Sequence, residues 1–262
     1  MKITAVQPAL VLGDVEQNYE LIEAQIRRAA AQKADCIVLP ELWNTSFYPS
    51  DVRDLADVDG ARTKSFLSDL ALSLGVHIIG GSVANWRNGK LYNTTFVVNR
   101  SGTVAGVYDK VHLFTPGGED KAFTAGDHLN VFSLDGITMA TVICYDVRFA
   151  EWTRMAALAG AQVLVVPAAW PDIRIDHWQI LNRARAIENQ LFVVAVNSCG
   201  TAGDMVFGGH SLLIDPWGKV LAEGGPSAEQ ITADIDVAVV ETIRRNIPVF
   251  HDRRPELYTL SD

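Results

Sequence analysis

The chain holds 262 residues, 48% of them hydrophobic, with 20 Gly, 10 Pro, 3 Cys and a formal net charge of −9. That length and composition predict a soluble globular protein with one large core or two small ones, and the acidic balance excludes a nucleic-acid partner. No apolar run reaches the roughly 18 residues that cross a membrane, and the start "MKITAVQPAL" lacks a signal-peptide pattern, so no membrane partner and a cytoplasmic location are expected.

In chain order, "KITAVQ" reads as a first strand, followed by a helix from Val15 to Ala30 with Val15, Tyr19, Ile22, Ile26 and Ala29 at helical spacing and Asp14 as its N-cap. "CIVLP" is a second strand that runs into Glu41 and Trp43. Phe66, Leu70 and Leu74 mark a second helix, "VHIIGGSV" a third strand, and "NTTFVVNRSGTVAGVY" a strand, a turn with Gly and a strand delivering Asp109, Lys110 and His112. A strand from Ile137 to Ile143 then ends in Cys144, Tyr145 and Asp146. Trp152, Met155, Ala156 and Ala159 mark a third helix closed by Gly160. "VLVVPAAW", a helix carrying Trp178, Leu181, Arg185 and Glu188, "LFVVAVNS" and "GHSLLIDPWGKVLAEG" complete the pattern.

The order strand, helix, strand, helix, strand, hairpin occurs twice. Pro40 with Trp43 and Pro167 with Trp170 occupy matching places in the two copies. Strands such as "CIVLP" and "VLVVP" are continuously apolar, which requires burial on both faces. Two such repeats bury most by stacking sheet on sheet with helices outside. The expected fold is α/β: a four-layer α-β-β-α sandwich with an internal pseudo-two-fold repeat, residues 1–262 forming a single domain.

Ligands of open α/β sheets gather at the carboxyl ends of strands, and there the sequence places Gln7, Glu41, Lys110, Cys144 and Asn197. A thiol needs a base or a cation beside it to attack, and a carbonyl under attack needs a donor for its developing negative charge. Glu41, Lys110 and Cys144 supply those parts; the plainer reading of Cys144 is a small packing residue before a polar loop. Cys36 and Cys199 read as packing residues. The three cysteines suggest neither a disulfide framework nor a zinc site, and the six histidines lack metal-ligand spacing, so no metal is expected. The sequons at Asn44 and Asn93 read as chance matches, and Arg244-Arg245 and Arg253-Arg254 as solvated or interface pairs. Asp109 is expected to pair with a basic neighbour nearby, and His112 to be structural. Trp43 and Trp170 pack at sheet ends or wall a pocket. Arg148 has two readings: a salt bridge to Asp146 or Glu151, or a bidentate anchor for a substrate carboxylate.

"LPELW" (Leu39–Trp43), "YDKVHLF" (Tyr108–Phe114) and "CYDVRF" (Cys144–Phe149) resemble, in order and separation, the three signature motifs of the nitrilase, or carbon–nitrogen hydrolase, superfamily. The likeness extends to "RARAIENQ", "GHSLLIDPWG" and "IPVFHDRRPELY". The resemblance implies the duplicated sandwich and a Glu-Lys-Cys triad: Glu41 as general base, Lys110 as electrostatic stabiliser and Cys144 as nucleophile. It implies Glu119 as a second, positioning glutamate and the Tyr145 backbone N–H as an oxyanion donor. No cofactor is implied, the partner is a small-molecule amide, and a homodimer is expected. The segment from about residue 245 to 262, with Ile247, Val249, Phe250, Leu257, Tyr258 and Leu260, is the expected dimer surface. "CYDVRFAE" is most similar to the omega-amidase group, which cleaves terminal amides of short dicarboxylic acid monoamides such as α-ketoglutaramate and α-ketosuccinamate. Deaminated-glutathione amidases, carbamoyl-amide hydrolases and nitrilases are the alternatives within the superfamily. A non-catalytic binding protein or an acyltransferase would share the same fold.

Overall fold

In the strand Cys36–Val38 every residue is buried, yet neighbours face opposite ways, because side chains alternate along a strand. Ile37 packs with Tyr19, Ile22 and Ile26 of the helix Val15–Ala31 and with Leu67 and Leu70 of the helix Ala61–Leu74. Cys36 and Val38 turn the other way and meet Val163, Val165 and Val194 of a second sheet. In that sheet Leu164 and Val166 face outward again, against Ala156 of the helix Ala150–Leu158 and Trp178 and Ala186 of the helix Ile175–Asn189. Three apolar interfaces thus separate four layers, and the α-β-β-α sandwich predicted from continuously apolar strands is the fold. The computed structural model describes residues 1–258, so Leu260 lies outside the described residues.

The first sheet runs Glu229–Asp234, Lys2–Gln7, Cys36–Val38, His77–Ile79, Lys90–Val98, Val83–Arg87 and Asp57–Val58, with Val104–Asp109 also paired to Lys90–Val98. The second runs Val220–Glu223, Leu212–Ile214, Phe192–Asn197, Val163–Ala168, Ile137–Thr141 and Asn130–Leu134. In each, three parallel strands are followed by an antiparallel hairpin, and an added antiparallel strand flanks the first. The repeat read in the sequence is therefore a repeat in topology.

Local details depart from the periodic reading. The strand into Cys144 stops at Thr141. The helix Ala61–Leu74 buries Thr63, Leu67, Leu70 and Ala71, with Phe66 and Leu74 at the margin of its face. In Ala150–Leu158 the buried residues are Thr153, Ala156 and Ala157, while Met155 points outward at 49% exposure. Asp14 does cap its helix, accepting from the Gln17 N–H at 3.0 Å. Gly160 ends its helix at φ 96°, where a side chain would be strained. Near the C-terminus Phe250 is half-buried between the guanidiniums of Arg154 and Arg244 at 5.1 and 4.8 Å, which leaves Ile247, Leu257 and Tyr258 as the exposed apolar residues of that stretch. Among the described residues no helix is long and apolar enough to cross a membrane.

Candidate active site

Glu41 follows the strand Cys36–Val38 where the two sheets meet: its backbone N–H reaches the Ala168 carbonyl of the second repeat at 3.4 Å. Its carboxylate accepts from the Ala169 N–H at 2.9 Å and from Lys110 Nζ at 2.7 Å. Lys110, placed by the strand Val104–Asp109, also donates to Glu119 at 2.8 Å. Glu119 in turn accepts from the Phe114 N–H at 2.7 Å. Asn93 bridges the two carboxylates, donating to Glu41 at 2.8 Å and to Glu119 at 3.0 Å. Glu41, Lys110 and Glu119 are each no more than 1% exposed. Buried charges are tolerable only when paired and fully hydrogen-bonded, and here one ammonium, two backbone N–H groups and the Asn93 amide answer two carboxylates. Burial opposes the charged form of Lys110, but Glu119 and Glu41 together outweigh it and hold its ammonium well above the usual lysine range.

Cys144 opens the short turn Cys144–Arg148 with φ at +45°, a left-handed conformation that costs a non-glycine residue on the order of 1–3 kcal/mol. Burial pushes its thiol well above the ordinary cysteine range, and the neighbouring Glu41 carboxylate pushes the same way against the pull of Lys110. Burial and Glu41 thus both favour the neutral thiol, which lies beside the Glu41 carboxylate. Tyr145 follows, and backbone amides at the start of such a turn have no acceptor within it.

Asp146 locks this turn to the lysine segment. One carboxylate oxygen accepts from the His112 N–H at 2.8 Å and pairs with His112 Nδ1 at 2.7 Å. The other accepts from the Tyr108 hydroxyl at 2.7 Å and the Ile143 N–H at 2.9 Å. Tyr108 and His112 flank Lys110, and Ile143 precedes Cys144, so one buried carboxylate registers amine against thiol. His112 stacks on Phe149 at 3.7 Å and is a structural residue, as expected.

The groups face a cavity of about 340 Å³ between protein atoms, part of it open to solvent, lined by Lys110 and Cys144 together with Phe47, Phe114, Tyr145 and Trp170. Arg148 lines it too, but forms neither expected salt bridge: the four donors above occupy Asp146, and no carboxylate pairs with Arg148 among the described residues. Its guanidinium lies over the Trp170 ring at 4.7 Å and contacts His177 Nδ1 at 3.4 Å. Trp43, by contrast, is fully buried among helix and strand residues, donates its Nε1–H to the Gly80 carbonyl at 2.7 Å and does not line this cavity. Asp109 pairs with Arg87 at 2.7 Å, across the sheet rather than along the chain. Cys36 and Cys199 are buried free thiols away from the cavity lining. The structure thus brings Glu41, Lys110, Glu119, Cys144, Tyr145 and Arg148 to one site. It adds Asn93, the Ala169 amide and Arg174, which the motifs did not single out, and makes Asp146, within the motif Cys144–Phe149, the acceptor that holds the turn rather than a partner of Arg148. A signal existed for Asn93: a polar side chain within the strand Lys90–Val98, which is buried along most of its length.

A sequence model described as carbon-nitrogen hydrolase matches residues 2–245. The chain is 43% identical over 256 residues to the 2-oxoglutaramate amidase of Bacillus subtilis, covering 98% of each protein. It is 35% identical to the omega-amidase of Homo sapiens, over 90% of this chain and 88% of that one. Saccharomyces cerevisiae Nit3, described as a member of branch 10 of the nitrilase superfamily, superposes with a TM-score of 0.90 at 28% identity, covering 97% of this chain and 96% of that chain. The repeat, the clustered acid, amine and thiol, and these likenesses over nearly all of its length agree: the chain belongs to the carbon–nitrogen hydrolase family.

Proposed function

We propose that this protein is a cysteine-dependent amidase that releases ammonia from the terminal amide of a short ω-amidic acid, with 2-oxoglutaramate heading the substrate class. One observation carries the reading: a single buried ammonium, Lys110, within hydrogen-bonding distance of both Glu41 and Glu119, beside a thiol that opens onto a cavity. The names of the Bacillus and human relatives supply the substrate class.

In this mechanism Cys144 Sγ forms a bond to the amide carbon as Glu41 takes the thiol proton. The negative charge that develops on the carbonyl oxygen is met by Lys110 Nζ and the Tyr145 N–H, donors already in place and shielded from water. Collapse breaks the C–N bond, Glu41 gives its proton to the departing nitrogen, and ammonia leaves an acyl thioester on Cys144. Glu41 then takes a proton from water, whose oxygen attacks the thioester. The C–S bond breaks, the proton returns to sulfur, and the carboxylic acid departs. Glu119 holds Lys110 from its other side throughout. A protonated resting thiol suits the scheme, because attack and proton transfer to Glu41 are then coupled.

Arg148, half-buried at the cavity and free of any carboxylate among the described residues, is the anchor for the substrate's distal carboxylate. Because the site takes Glu41 and Lys110 from one repeat and Cys144 from the other, residues 1–262 act as one domain. The protein works as a homodimer through the expected surface near its C-terminus, where Ile247, Leu257 and Tyr258 are 45–64% exposed and leave apolar area for a second copy to cover. Ammonia release measured across ω-amidic acids, neutral amides, carbamoyl compounds and nitriles tests the reading. The highest kcat/KM is expected on 2-oxoglutaramate, and a neutral amide or nitrile that outperforms every ω-amidic acid overturns it.

A further inference from the structure

Two guanidinium groups line the cavity, and neither meets a carboxylate among the described residues. Arg148 ends the turn Cys144–Arg148, and Arg174 ends the turn Asp172–Arg174 beyond the strand Val163–Ala168. Trp170 braces both. Its ring face carries the Arg148 guanidinium at 4.7 Å, and its Nε1–H donates to the Arg174 carbonyl at 2.8 Å. The Arg174 guanidinium itself lies over Phe114 at 5.6 Å. Stacking of this kind uses the flat faces of a guanidinium and leaves its N–H edges for a ligand. Burial disfavours the charge on Arg148, and the nearby Arg174 acts in the same direction. Two like charges side by side in a partly desolvated cavity repel each other until an anion lies between them.

We propose that Arg174 is a specificity-determining residue that works with Arg148 as a two-guanidinium clamp on the carboxylate and adjacent oxo oxygen of a 2-oxo-ω-amidic acid. The proposal rests on the amidase reading above and adds to it a second cation and a reason for the oxo group. One guanidinium fork takes both carboxylate oxygens along one edge and leaves each a further lone pair. A second fork approaching from the side of the next carbon meets one of those lone pairs and the oxo oxygen together, a bidentate site that a 2-oxo acid offers and a plain acid does not. The aromatic braces hold both forks before substrate arrives, so little rotamer freedom is lost on binding.

Steady-state kinetics on the wild type, Arg174→Gln, Arg148→Gln and the double variant test the clamp, with 2-oxoglutaramate, glutaric acid monoamide and butyramide as substrates. In Arg174→Gln the ratio of kcat/KM for 2-oxoglutaramate to that for butyramide should fall about 10- to 100-fold, chiefly through KM, as expected for the loss of a hydrogen bond to a charged group. The preference for 2-oxoglutaramate over glutaric acid monoamide should narrow as well. Because both arms grip one anion, the double variant should lose less than the product of the two single losses. Arg174→Lys, which keeps the charge without the planar fork, should fall between wild type and Arg174→Gln. Binding of 2-oxoglutaramate to Cys144→Ala and to Cys144→Ala/Arg174→Gln by calorimetry gives the same comparison without turnover. Equal losses on charged and neutral amides, or strictly multiplicative losses in the double variant, overturn the clamp. A wild type that does not prefer ω-amidic acids to butyramide overturns the amidase substrate reading instead, whatever Arg174 does.

Discussion

On the register of the parallel strands, Ile3 lies beside Cys36 in the first repeat, and Met139 beside Val163 in the second. Stepping equally along each strand from those pairs, Cys144 takes the place of Pro8 and Glu41 that of Ala168. The counterpart positions carry no chemistry: proline has neither nucleophile nor N–H, and alanine has no base. Where the second repeat has Ile143, the first has Gln7, which fills its surroundings with hydrogen bonds to the Gly225 and Ser227 carbonyls at 2.8 and 2.6 Å and from the Ser211 N–H at 2.9 Å. Trp43 and Trp170 diverge likewise, one sealed in the core and the other walling the cavity. A duplicated frame supplies two sets of strand ends, and the substitutions at those ends make one a site and the other closed packing. The first repeat gives Glu41, Lys110 and, after it, Glu119; the second gives the Cys144 thiol, the Ala169 amide that donates to Glu41, and both arginines.

Breaking the site half of this comparison should have the largest effect. Cys144→Ala should lower kcat by about 10⁴-fold or more, as removal of a nucleophile from a coupled set does, while leaving a folded protein. Wild-type enzyme trapped with a slow substrate should carry the acyl group on the Cys144 peptide in mass spectrometry, and an adduct confined to Cys36 or Cys199 refutes the assignment. Next in size is Lys110→Ala, expected to cost about 100- to 1000-fold in kcat through loss of an oxyanion donor. Rates near wild type would show that Lys110 only neutralises the buried carboxylates.

Much of this was legible beforehand because period-two and continuous apolar patterns are dictated by burial. "CIVLP" and "VLVVP" can only lie between two covered faces, and that fixes the layers. That Glu41, Lys110 and Cys144 would meet could be read from strand ends, which are local in sequence, whereas Glu119 came only with the family resemblance. Arg174 and Asn93 were not, since their places depend on how loops from different strands meet. The partners of Asp146 illustrate the limit: Tyr108 and His112 lie well upstream in the chain, and no local pattern says that one carboxylate will gather both. The helix faces misread at Met155 and Phe66 have another cause, because on a short helix a small change in tilt moves the margin of the buried stripe.

Asp146 sharpens the comparison at its join, because it holds the thiol turn against the lysine segment. Asp146→Asn keeps the shape but replaces an acceptor-only group, facing donors on both oxygens, with one that must also donate. Weakening hydrogen bonds to a buried charge should lower unfolding free energy by about 2–3 kcal/mol. Urea denaturation measures that loss, and kcat should fall with KM little changed as amine and thiol drift out of register. A variant as stable and as active as wild type would mean that the turn is held by its backbone alone.

The smallest effect concerns the packing thiol. Cys36 has Val163 as its counterpart, so Cys36→Val should be accepted in the inter-sheet core. Burial pushes the Cys36 thiol up to about 12 from an ordinary 9.0. Below the ordinary value the thiol is neutral in both folded and unfolded chains and contributes nothing to the pH dependence. Above it the unfolded thiol ionises while the buried one cannot, so folded stability falls as pH rises, by up to about 1.4 kcal/mol per pH unit until the folded value is reached. Tyr19, raised to about 12, and Cys199, raised to about 11, add to the same alkaline loss and remain in the variant. Cys36→Val should therefore flatten the decline without removing it. Unfolding free energies at about pH 8 and about pH 10 give the test: the difference between variant and wild type should shift in favour of the variant by roughly 1 kcal/mol over that interval. A difference that stays constant would mean that Cys36 titrates alike in folded and unfolded chains, and that its burial between the sheets is not what holds its proton.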